Sequence, residues 1–132
     1  HRDLHLSLRR QRQMCIRDRN QSSIKALADS STYTFINILR GGTSFGTIMD
    51  SLGYACVPSV NDLGPAGSRY FSGGYITARH GSRDGGIISA IQVELPQPGI
   101  RDTEENWSSY ASAFATAVSA YYLHHLGRGI QP

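Results

Sequence analysis

Glu94 is the residue that pattern singles out for proton chemistry. It stands near the end of the run IISAIQVEL (87–95), where Ile87, Ser89, Ile91, Val93 and Leu95 alternate with Ile88, Ala90, Gln92 and Glu94. Successive side chains of a strand point to opposite faces. The first half of the run is thus apolar on both faces, and only its carboxyl end turns polar, through Gln92 and Glu94. A carboxylate on a buried strand must be paired, protonated or metal-bound, because desolvating it bare is costly. Partial burial moves a carboxyl toward neutral titration, which suits a general acid or base. The same spacing fits equally a glutamate at a strand end that simply points to water.

Arg79 and His80 close the preceding run GYITARH and are joined to the Glu94 run by the turn GSRDGG. An arginine there could fork onto a substrate carboxylate. A histidine could donate to a developing oxyanion or bind a metal. The bland alternatives are a surface ion pair for Arg79 and an ordinary loop histidine for His80. Residues 70–96 hold five glycines, at 73, 74, 81, 85 and 86. Their cheapest use is positive φ and bulges, and only secondarily close approach of backbone to a ligand. Arg40-Gly41-Gly42 ahead of Ser44 fits an anion nest or, more simply, a tight turn. No Walker A, GxSxG, HExxH or GxGxxG pattern occurs.

The elements that must carry these residues read as an α/β chain. TYTFINILR (32–40), YACVP (54–58), GYITARH and IISAIQVEL are rich in β-branched and aromatic residues and are bounded by Gly or Pro, so they are expected to be strands of one sheet. TSFGTIMDSLG predicts a short helix capped by Ser44, with Phe45, Ile48, Met49 and Leu52 as its stripe and Gly53 as its stop. SVNDLGPAGSR (59–69) reads as a loop. A long helix is expected over 104–126, capped by Thr103 and packed through Trp107, Tyr110, Phe114 and Val118, with His124 and His125 at the negative end of its dipole.

Bulk properties narrow the partners. The 132 residues suit one domain, and their formal charge of +3 is unevenly spread. Residues 1–19 hold six arginines against two acids, whereas 20–132 hold seven basic and eight acidic side chains. The basic character therefore gives no reason to expect nucleic acid as a partner of the folded part. No apolar run is long enough for a membrane span, so no membrane partner is expected, and a small-molecule substrate is. The segment MCIRDR (14–19) resembles translation of the transposon end used in sequencing libraries, and 1–19 is expected to be read-through or a disordered arm. That leaves Cys56 as the one native cysteine, too few for a disulfide framework or a zinc ribbon. No intact signal peptide is visible, but with a foreign-looking 1–19 that absence carries no information; the compartment stays open, with the cytoplasm as the default expectation.

The stretch FSGGYITARHGSRDGGIISAIQVELP resembles the carboxyl-terminal signature of the N-formylglutamate amidohydrolase family. In that family a Gly-Gly-Tyr strand, an Arg-His segment and an A-x-Q-x-E-L strand follow in this order. SFGTIMDSLGYACVPSVNDLGPAG and RDTEENWSSYASAFATAVSAYYL add to the likeness, which spans roughly 36–126. It implies a zinc-carboxypeptidase-like α/β fold, a mixed sheet flanked by helices, with zinc held by His, Glu and His. It also implies that Glu94 is the catalytic glutamate and that Tyr75, Arg79, His80 and Gln92 line the substrate site. Pro96-Gln97 replaces the family's Asn-Arg after Glu-Leu, and the His-x-x-Glu zinc ligands have no counterpart here. Residues 20–132 are accordingly expected to be the C-terminal part of a zinc amidohydrolase acting on an amide or formamide of a small acidic substrate. The alternative is a non-catalytic α/β domain that binds a small anionic ligand.

Overall fold

The computed structural model describes residues 19–64 and 74–130. Residues 1–18, expected to be read-through or a disordered arm, the second half of the 59–69 loop and Gly73 fall outside the described residues. The chain forms helices α1 (Lys25–Ser30), α2 (Phe35–Arg40), α3 (Phe45–Ser51), α4 (Tyr75–His80) and α5 (Glu104–Leu126), with an irregular turn over Gln97–Arg101. It divides into two compact units, one holding the described residues up to 35 and 74–92, the other 36–64 and 93–130.

The expected mixed sheet is absent: among the described residues there is no strand. Residues 35–40 are helical because Phe35, Ile38 and the half-buried Leu39 recur at i, i+3 and i+4, the period of a helix face. The β-branched and aromatic content of that run is a weaker, context-dependent preference. Residues 75–80 are helical because Thr77 serves the N-terminus. Its hydroxyl accepts from the Gly74 N–H at 3.1 Å and donates to the Gly74 carbonyl at 3.0 Å. Residues 54–58 and 87–95 lack helical structure but join no ladder. A strand is stabilised by cross-strand pairs, and two of the other runs expected in the same sheet are helical, over Phe35–Arg40 and Tyr75–His80.

In the first unit, serines stand where a sheet was expected. Ser82, 1% exposed, accepts from the Ala26 N–H at 2.8 Å and donates to the Ser23 carbonyl at 3.0 Å. Ser89 accepts from the Leu27 N–H at 3.0 Å. The opening donors of α1 are thus satisfied by hydroxyls distant in sequence. Ala90 exchanges bonds with Ser23: its N–H donates to the Ser23 carbonyl at 3.1 Å, and its carbonyl accepts from the Ser23 hydroxyl at 2.5 Å. Beyond that clip the apolar run is open, with Ile87 93%, Ile88 60% and Ile91 50% exposed.

In the second unit the helix over 45–51 is present as expected. Ser44 Oγ accepts from the Thr47 N–H and donates to Thr47 Oγ1 at 2.8 Å, and Thr47 Oγ1 accepts from the Val60 N–H at 2.8 Å. Met49, Tyr110 and Ala117 are buried where α3 packs on α5, with Phe45 and Phe114 beside them. Edge-on ring pairs tie the layers, Phe45 on Phe114 at 5.3 Å and Tyr54 on Tyr110 at 5.1 Å. α5 begins at the Thr103 cap and ends at Gly127, whose φ of 67° needs no Cβ. Its packing face differs from expectation: Trp107 is 55% exposed, and Tyr110, Phe114 and Ala117 do the packing. Asp102 braces the entry to α5 by accepting from the Gly99 N–H at 2.8 Å and from the Asn106 side chain at 2.7 Å.

Candidate functional site

An open cleft of about 300 Å³ lies in the first unit, lined by residues that include Gln21, Ser23, Tyr75, Thr77 and Arg83. Its wall is built around Gly74, the residue before α4. A Cβ on Gly74 would lie 2.7 Å from the oxygen of the exposed Gln92 side chain, so the two are close neighbours, though that amide could swing aside for a larger residue. Two separated pieces of the quoted signature, Gly-Tyr and Gln92, therefore meet beside the cleft.

The other candidates do not gather there. Arg79 and His80 occupy the exposed last turn of α4 and are not among the cleft's lining residues. Glu94 belongs to the second unit and is exposed on the segment that leads into Gln97–Arg101. Glu94 is not on the covered strand expected of it, since among the described residues there is no sheet. Gln92 is exposed as well, and Tyr75 is 75% exposed.

Among the described residues that line the cleft, the charged one is Arg83, within the GSRDGG turn. Its Nε and Nη2 donate to Asp84 Oδ1 and Oδ2 at 3.2 and 3.0 Å. The hydrogen bonds, and behind them the opposite charges, lower the Asp84 carboxyl and raise the Arg83 guanidinium from their ordinary values. A forked pair of this kind presents little net charge. The remaining lining offers hydroxyl and amide groups. Chemically the cleft can hydrogen-bond a small polar molecule, and the described residues of its lining include no carboxylate or imidazole to act as base. Gln21, Ser23 and Arg83 carried no signal in the sequence, because their roles come from the turn that brings 82–90 onto α1.

Zinc does not fit the described residues: no three His, Cys, Asp or Glu among them come together in a way that could hold a metal ion. His125 is engaged otherwise. It is 7% exposed and its Nε2 donates to the Thr43 carbonyl at 2.9 Å, while its ring lies 4.5 Å from that of Tyr121. The Arg40 nest resolves as a tight turn, with the Gly41 N–H donating to the Asn37 carbonyl at 3.0 Å and the Arg40 Nη1 to the Leu63 carbonyl at 2.9 Å. Cys56 is a half-buried free thiol whose pKa is raised first by burial and then by Asp50. That is the opposite of the shift that makes a cysteine a nucleophile. Compared with protein-family models, with curated proteins and with solved structures, the chain matches none.

Proposed function

We propose that this chain is a C-terminal portion of a zinc-dependent amidohydrolase of the N-formylglutamate amidohydrolase type, cleaving an amide or formamide of a small acidic substrate. The observation that supports this reading is the ordered signature, two of whose pieces meet where Gly74 abuts the Gln92 amide beside Tyr75. In this reading Glu94 takes and returns the proton, Arg79 forks onto the substrate carboxylate, and His80 donates to the substrate oxygen. Tyr75 and Gln92 line the substrate site. The zinc belongs to the complete protein, with ligands outside the set that this chain brings together.

A second reading has its own support. A cleft with a charge-compensated Arg83 and, among its described lining residues, no carboxylate or imidazole suits a non-catalytic module that binds a small polar ligand, anionic ones included.

Glu94→Gln in the complete protein separates the two. The change keeps shape while removing the base, so kcat is expected to fall by ~10²–10⁴ with metal content and melting temperature unchanged. Turnover at the wild-type rate would remove Glu94 from the chemistry. A complete protein that carries no stoichiometric zinc, measured by elemental analysis, would favour the binding module.

A further inference from the structure

We draw no further inference here: the strongest candidate, the exposed apolar patch formed by Ile87, Ile88 and Ile91 on the extended segment after α4, carries nothing because nothing in the structure shows what covers it.

Discussion

Tyr121 shows how one side chain ties stability to pH. Burial pushes its phenol from 10.0 up to about 12, and its hydroxyl lies 3.5 Å from the Ile38 carbonyl. Below pH 10 the folded and unfolded chains both hold this proton, so its contribution to stability is complete. As pH rises from 10 toward 12 the unfolded chain releases the proton first, and stability is lost through that window, by roughly 2–3 kcal/mol in all. Tyr121→Phe keeps the ring and discards the titration. At pH 7 the variant should unfold within about 1 kcal/mol of wild type, since the hydrogen bond is long. Urea titrations between pH 9.5 and 12 should then show a shallower alkaline decline for the variant. Parallel declines in both proteins would mean that Tyr121 is already ionised at its ordinary value. Glu94 illustrates the reverse case. It lies exposed in the second unit, away from Tyr75 and Gln92 in the first, and its proposed role rests on the signature alone.

At the scale of elements, α3 is the best-determined piece, and two substitutions probe it. Ser44 is fully buried and caps the helix, so Ser44→Ala should cost about 1.5–2 kcal/mol, the upper end of the usual cap range, because Thr47 also loses a partner. Gly46 is where α3 crosses the 56–58 segment. A Cβ there would fall 2.0 Å from the Pro58 carbonyl oxygen, a backbone atom with little room to move. Gly46→Ala should therefore destabilise by about 1–3 kcal/mol despite the better helix propensity of alanine. Chemical denaturation of the two variants gives both numbers. A stabilised Gly46→Ala protein would show that α3 does not rest on 56–58. The 87–95 run is the opposite kind of element, strongly β-prone yet clipped at Ala90 by the Ser23 bonds and left largely open to solvent.

For the molecule as a whole, that open run predicts poor behaviour in solution. Its first seven residues, 87–93, carry no charge, and exposed, uncharged stretches rich in β-branched residues and free of proline are association sites. The 132-residue chain should bind a hydrophobic dye and form concentration-dependent aggregates, and Ile88→Lys should suppress both while leaving the helical circular dichroism unchanged. Sedimentation of the two proteins at matched concentrations decides it, and a strictly monomeric wild-type chain would defeat the prediction. The same chain should bind zinc only weakly and show no amidase activity, because its described residues assemble no ligand set. Equilibrium dialysis that found one tightly held zinc per chain, with turnover, would overturn the view of it as a portion of a larger hydrolase.

What the sequence determined by itself are the elements whose signals close within a few residues. The helices over 45–51 and 104–126 form between Ser44 or Thr103 and a glycine stop, because caps, period and stop are all local interactions. Positive φ, the cheapest use expected of the glycines in 70–96, is found at Gly85 and Gly86 but not at Gly74. The tertiary structure alone decided the fate of 35–40, 75–80 and 87–95. β-branched content favours a strand only where a neighbouring strand supplies the ladder, and no partner strand stands beside these runs. It also decided that Ser82 and Ser89 cap α1 from 56 and 62 residues away, that Trp107 faces solvent, and that Glu94 lies outside the unit holding Tyr75 and Gln92. Each of these depends on contacts between segments far apart in the chain, which alternation and spacing along one segment cannot express.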